Sequence, residues 1–168
     1  MPKEMDRHTL ELLEFTKIRD ELIEYCLSDE GVRKVLAQRF LFSPEEVREV
    51  HGKVEELVQL FERKDPPAFD FPGIAELLDV LPTEGTMLEG EDLYAAARYF
   101  RSALRLRKYL IEAEEYGYER IPELARQMPD LSRAADAITA VLDPDGSVKD
   151  SQPELKDLRR KLGSIRGE

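Results

Sequence analysis

Apolar residues recur at intervals of three and four along almost the whole chain, the period of helices that bury one face. A first helix is predicted from about Asp6 to Glu14. Thr16 is placed to cap a second, with Ile18, Leu22, Tyr25 and Cys26 on one inner stripe. Ser28-Asp29 starts a third, carrying Val32, Val35, Leu36 and Phe40. The clearest start signal is Ser43-Pro44-Glu45-Glu46. Ser43 can accept from a free backbone N–H, Pro44 suits the first helical position, and Glu46 can reach back to the cap. The helix that follows should bury Val47, Val50, Val54, Leu57, Val58 and Phe61 and end near Lys64, before Asp65-Pro66-Pro67.

Residues 65–92 are less regular, with a short apolar helix expected around Ile74–Leu81. Phe69 and Phe71, in a proline-rich loop, either plug the core or ride on a surface linker; the core is the expected place. Glu91 to Glu115 reads as the longest complete helix. On a wheel advancing about 100° per residue, Leu93, Ala96, Ala97, Leu104 and Ile111 fall within roughly 60° of Phe100. Tyr99, Ala103, Leu106 and Leu110 widen that arc, as expected of a central helix. Arg98, Arg101, Arg105 and Lys108 form a stripe on the far side. Arg107 falls inside the apolar face. It must carry its charge to the bundle edge along its aliphatic stem or pair with a carboxylate or carbonyl of another helix, and pairing is expected.

Pro122 opens a further helix through Met128, and the 129–132 region opens another through about Val141. Asp143-Pro144-Asp145-Gly146 is a tight-turn signature, because proline presets φ and glycine supplies φ > 0. A small β-hairpin is expected near 142–149. Ser151-Gln152-Pro153 then starts a last helix whose Leu155, Leu158, Leu162 and Ile165 follow at 3, 4, 3, the seam spacing of a coiled coil. An ordinary amphipathic packing helix has the same spacing over so short a stretch.

Composition narrows the class. With 168 residues, 42% of them apolar, the chain can build a core; 36% charged residues and no long apolar run argue against a membrane protein. The charged N-terminus has no apolar signal core, so a soluble cytoplasmic domain is expected. Cys26 is the only cysteine, which rules out an internal disulfide. No asparagine occurs, which excludes N-glycosylation. The net charge of −11 repels phosphate backbones at long range. Residues 94–111 depart from this, with five basic and no acidic groups. The stripe at Arg98, Arg101, Arg105 and Lys108 is therefore either a solvated face paired with nearby acids or a phosphate-contacting surface.

No catalytic constellation emerges. The segment Gly85-Thr-Met-Leu-Glu-Gly90-Glu91-Asp92 has the glycine spacing of a phosphate-binding loop. Glu91 stands where that loop needs lysine and Asp92 where it needs Ser or Thr, so a loop into a helix N-terminus is the better reading. His8 and His51 fall on polar helix positions, Ser28, Ser43 and Ser151 serve as caps, and Cys26 is expected to be a buried, inert thiol. No residue is assigned to a catalytic, cofactor-binding or metal-binding role.

Three stretches together resemble the second type of bacterial MutS protein. They are Thr9-Leu-Glu-Leu-Leu-Glu-Phe15 with Lys17, Ile18 and Leu22; Phe71-Pro-Gly-Ile74 before the long helix 91–115; and Asp143-Pro-Asp-Gly-Ser-Val-Lys-Asp150 followed by Ser151 and Pro153-Glu-Leu-Lys-Asp-Leu-Arg159. The resemblance covers essentially the whole chain. It implies a parent with a MutS-like core and lever region, an ABC-type ATPase that uses ATP and Mg and dimerises, and usually an Smr nuclease domain, without a mismatch-reading domain. It also implies action on DNA, ribosomes or both, in recombination suppression and the splitting of stalled ribosomes. Residues after the hairpin would enter a long lever helix leading to a coiled-coil clamp.

The expected architecture is thus all-α: a multi-helix, core-like domain over residues 1–150 with one small hairpin, then the truncated start of a lever at 151–168. Leu155, Leu158, Leu162 and Ile165 would be its seam. No ATPase or Smr segment is present in these residues, so this chain is expected to be non-enzymatic and without a cofactor. Its partners would be the remaining ATPase and lever domains of a homodimeric parent. The competing expectation is a free-standing helical adaptor that binds an acidic or phosphorylated partner on the 98–108 stripe.

Overall fold

The computed structural model describes residues 7–38 and 40–149, and the fold is all-α. Its helices are α1 (Arg7–Leu12), α2 (Phe15–Glu24), α3 (Asp29–Leu36), α4 (Pro44–Arg63), α5 (Ala75–Val80), α6 (Gly90–Ile111), α7 (Arg120–Arg126) and α8 (Ser132–Val141). A 3-10 turn, Glu112–Tyr116, extends α6.

Local chemistry sets three helix starts where the pattern places them. Ser28 accepts the Gly31 N–H at 3.1 Å and opens α3. Ser43 accepts the N–H groups of Glu45 and Glu46 at 3.2 and 3.4 Å, and Pro44 takes the first turn of α4. The Ser43 hydroxyl donates to the Glu45 carboxylate at 2.8 Å, and that bond holds the Glu45 carboxyl below its ordinary range. Asp130 Oδ1 accepts the Ser132 N–H at 2.9 Å at the start of α8. The expected Thr16 cap does not form. Glu14 adopts φ 52° and turns the chain there, so α2 begins at Phe15 and Thr16 lies inside it.

Helix α6 is the axis of the molecule, with α7 and α8 packed along it. One core cluster joins Leu60 of α4, Tyr109 and Leu110 of α6, Ala113, and Ile121 and Ala125 of α7. A second joins Ile74, Leu77 and Ala96. The proline-rich loop before α5 lies against α6, where Phe69 and Phe71 are half-buried and belong to neither core cluster, short of the core plug expected. Ser102, fully buried on α6, donates to the Asp70 carbonyl at 2.7 Å and accepts the Asp70 N–H at 3.0 Å. Phe71 meets the Tyr99 ring edge-on at 5.1 Å between centroids. The Tyr109 hydroxyl donates to the Lys64 carbonyl at 2.6 Å. Helix α6 is therefore buried on two faces, and Ser102 and Tyr109 are core residues that its apolar arc does not contain.

Lys64 also bonds Glu112 at 2.6 Å, and that bond holds the Glu112 carboxyl below the usual carboxylate range. The Arg33 guanidinium does the same to Asp79 through two bonds of 2.9 and 3.1 Å. A carboxyl with a depressed folded-state pKa adds stability that is present above its unfolded value, about 4.3 for Glu, and is lost as pH falls through the folded value. Thermal midpoints of the wild-type chain should therefore drop on acidification below about pH 4. Glu112→Gln should flatten that acid limb, which a midpoint-versus-pH series checks.

Two expectations are corrected. The hairpin reduces to a turn closed by one isolated antiparallel bridge, Leu142 to Val148, without strands among the described residues. Asp143 N–H donates to the Ser147 carbonyl at 2.8 Å, Gly146 N–H to the Asp143 carbonyl at 2.9 Å, and Lys149 N–H to the Val141 carbonyl at 2.8 Å. Only one residue on each side of the Asp-Pro-Asp-Gly turn can pair before the chain joins α8, so no ladder develops. The second correction concerns α4. Val47, Val50, Val54, Val58 and Phe61, expected inside, are 40–55% exposed. Leu57 of the expected stripe does pack on the core beside the buried Glu56 and Leu60, and Phe61 stacks on Tyr109 at 6.2 Å between centroids, so the correction concerns the four valines. Likewise α2 and α3 contain no buried residue; Ile18, Leu22 and Tyr25 are exposed, and Cys26 is half-buried.

Candidate functional site

The basic stripe lies on α6 beside the proline-rich loop, and its side chains are engaged. Arg98 Nε donates to Asp70 Oδ2 at 2.7 Å. Arg101 Nη2 donates to Thr139 Oγ1 at 2.8 Å and lies 3.5 Å from Asp136 Oδ1. Arg105 Nη2 donates to the Ser102 hydroxyl at 2.7 Å. Lys108 is the loosest, 3.9 Å from Glu112 and largely exposed. The stripe thus ties α6 to the loop, to α8 and to its own C-terminal turn. Arg105 and Lys108, with Lys64, edge an open crevice of about 250 Å³ that also contains Pro67 and Tyr109. Of the predicted site residues, Leu155, Leu158, Leu162 and Ile165 lie outside the described residues.

Arg107 pairs as expected, and its acceptor is a carbonyl: Nε donates to Met128 O at 3.1 Å, just beyond α7.

A cleft of about 500 Å³ opens between α4, the 3-10 turn and α7. Several of its charged groups pair with one another. Arg126 pairs with Glu114 and, at 3.2 Å, with Glu123. Arg120 lies 3.6 Å from Glu49, which Lys53 also meets at 3.2 Å. Below the cleft floor is Glu56, a residue that reasoning from the sequence passed over. Its Oε2 accepts the backbone N–H groups of Arg120 and Ile121 at 2.8 and 3.0 Å, and its Oε1 takes Arg120 Nη1 at 3.2 Å. Helix α7 has no side-chain cap of its own. A carboxylate from α4 performs that task, meeting the positive end of the helix dipole. The available signal was a helix start, Glu119-Arg120-Ile121-Pro122, with no Ser, Thr, Asp or Asn to cap it.

The loop with phosphate-binding glycine spacing has another use. A Cβ on Gly90 would meet the Gly146 carbonyl oxygen at 2.0 Å, and one on Gly146 would meet the Glu91 backbone nitrogen at 2.3 Å. The Asp143–Gly146 turn therefore sits backbone against backbone on the first turn of α6. Gly90 is a close-approach glycine, and Gly146 also needs its positive φ of 76°. The carbonyl side of the turn faces the N-terminal end of α6, the arrangement its dipole favours.

Other candidates are accounted for structurally. His8 and His51 are exposed. The Cys26 thiol donates to the Leu22 carbonyl at 3.5 Å. Among the described residues, no three His, Cys, Asp or Glu side chains are grouped to hold a metal ion, and no helix is long and apolar enough to cross a membrane. No family model and no curated protein matches the chain.

Proposed function

We propose that this chain is a non-catalytic, mechanical segment of a larger MutS-like ATPase, joining the ATPase to its lever and clamp arms. The observation that supports this most is helix α4. One side of it is built into the core through Glu56, Leu57, Leu60 and Phe61, while Val47, Val50, Val54 and Val58 are 40–55% exposed. A helix with a second, bare apolar face is suited to carry another element on it. The turn seated on the start of α6 fits the same reading, because it holds the backbone as far as Lys149 against the core. ATP and Mg would be bound elsewhere in a homodimeric, cytoplasmic parent. That parent would act on DNA, ribosomes or both, in recombination suppression or the splitting of stalled ribosomes. The reading frame beyond the Glu168 codon tests this: continuation into an ATPase supports it, and an immediate stop codon contradicts it.

The crevice beside Arg105 and Lys108 favours a second reading, an adaptor for an acidic or phosphorylated partner. The pairing of Arg98 and Arg101 with Asp70 and Asp136 weighs against it, because each cation already spends its charge within the fold. The two readings differ in a salt titration. If the stripe contacts nucleic acid, neutralising all four cations lowers the slope of log K against log salt by roughly three to four units. Our account predicts an unchanged slope.

A further inference from the structure

Along the described residues, the first buried side chain is that of Glu56. Helix α1 packs on α2 and α2 on α3, and neither α2 nor α3 buries a residue. Their attachment to the rest of the fold takes two forms. Toward α4 the contact is gapped: an apolar cleft of about 260 Å³ lies among Phe15, Leu22, Val35 and Val50, and Leu22 and Val50 stay about half exposed. Arg19 edges the same cleft, and its Nε is buried without a hydrogen-bond partner.

Toward α5 and α6 the contact is polar. Arg33 of α3 clasps both carboxylate oxygens of Asp79 on α5, at 3.1 and 2.9 Å. The Asp29 carboxylate lies over Gly73, where a Cβ would come within 2.5 Å of Oδ2. Burial, and after it the charge of Glu30, raises the Tyr99 hydroxyl above its ordinary pKa, which puts the start of α3 beside α6. Both carboxylate oxygens of Glu30 are buried without a hydrogen-bond partner.

The balance at this seam is unlike that of the core. Complete burial of apolar side chains is what fixes a helix in place, and α2 and α3 have none. Taking Glu30 and Arg19 out of water without partners costs free energy that is recovered when they meet water again. The Arg33–Asp79 fork opposes this, in the geometry where an exposed ion pair contributes most. Around α6, by contrast, Leu60, Tyr109, Ala113, Ile121 and Ala125 are all buried together. Segments held so differently open separately, because local opening ranges from nearly free to as costly as global unfolding.

We propose that α1, α2 and α3 form a flap that opens from the core as one unit, latched by the Arg33–Asp79 pair, while α4 to α8 stay folded. Opening returns Glu30 and Arg19 to water and bares Tyr99, which packs on the second core cluster. The flap goes beyond the mechanical reading and does not depend on it.

Native-state hydrogen exchange of the full chain, read by mass spectrometry, tests the flap. Amides of residues 18–24 and 32–36 should exchange at least about a hundredfold faster than those of residues 96–110. Arg33→Ala should speed exchange in both flap segments by the same factor, about two- to fivefold, and leave 96–110 unchanged. Asp79→Asn, made on the core side of the latch, should do the same, and the double variant should go no further than either single one. The latch bonds α3 alone, so an equal response in α2 reports the flap moving as a unit. Unchanged protection of 96–110 also shows that the variants fold. Exchange in either flap segment as slow as in α6 overturns the proposal, as does an Arg33→Ala effect that is absent or confined to α3. Loss of protection across 96–110 in both single variants overturns it too, because the latch would then belong to the core.

Discussion

Glu56→Ala should lower the free energy of unfolding by about 3 kcal/mol, since it strips two backbone donors and a guanidinium of their buried acceptor. Glu56 is only 9% exposed, and its carboxylate is the cap of a helix 64 residues further along the chain. For a chain of this length, that loss lowers the thermal midpoint by roughly 10 °C. Glu56→Gln keeps an oxygen for the Arg120 and Ile121 N–H groups and loses the charge, so it should cost about 1 kcal/mol. Chemical-denaturation midpoints of the two variants check both the direction and the order. If alanine costs no more than glutamine, the carboxylate does not cap α7.

The glycine contact at the start of α6 has a similarly large effect. Gly146 and Gly85 share a left-handed backbone, with φ of 76° and 83°. A Cβ on Gly85 meets nothing within 4 Å, whereas one on Gly146 collides with the backbone of Gly90 and Glu91. Gly85→Ala should therefore cost only the conformational term, roughly 1–2 kcal/mol. Gly146→Ala should cost that plus about 2 kcal/mol for forcing two backbones apart. Gly90→Ala, without the φ penalty, should cost about 2 kcal/mol for the same collision. Equal midpoints for the Gly85 and Gly146 variants would show that the turn is not seated on α6.

These two sites mark what could and could not be read from the chain. Helix starts governed by nearest neighbours were legible: Ser28 and Ser43 cap where they should, and Lys64 ends α4. The all-α class and the central helix followed from a period that persists over many turns. Long-range partners were not legible. The Glu56 carboxylate and the N–H groups it accepts are brought together only by the packing of α4 against α7. Ser102 falls outside the apolar arc of α6, and it is buried because the proline-rich loop bonds it at Asp70. The α4 valines show a different limit. Periodicity identifies which side chains share a face, and it is silent on whether another element covers that face. Leu57 and Phe61 of the expected stripe do reach the core beside Leu60 and Glu56, and the four valines of the same stripe are left exposed. The hairpin fell short for a local reason, since a good turn needs paired flanks to become a ladder.

In the candidate site, the glycine spacing of residues 85–90 illustrates how a motif can persist without its chemistry. The two chemical positions carry Glu91 and Asp92. The second glycine answers to a backbone neighbour 56 positions away in the chain. The basic stripe is legible as a stripe, and its engagement with Asp70, Thr139 and Ser102 is a property of the packed fold.

We propose a mechanical role for this chain, with no chemistry of its own. Phosphate release from saturating Mg-ATP, followed over a range of concentrations of the purified chain, tests it most directly. The account predicts no release above the protein-free blank at any concentration. Release that rises in proportion to the chain and disappears with Gly85→Ala, a change that leaves the core packing alone, would contradict it.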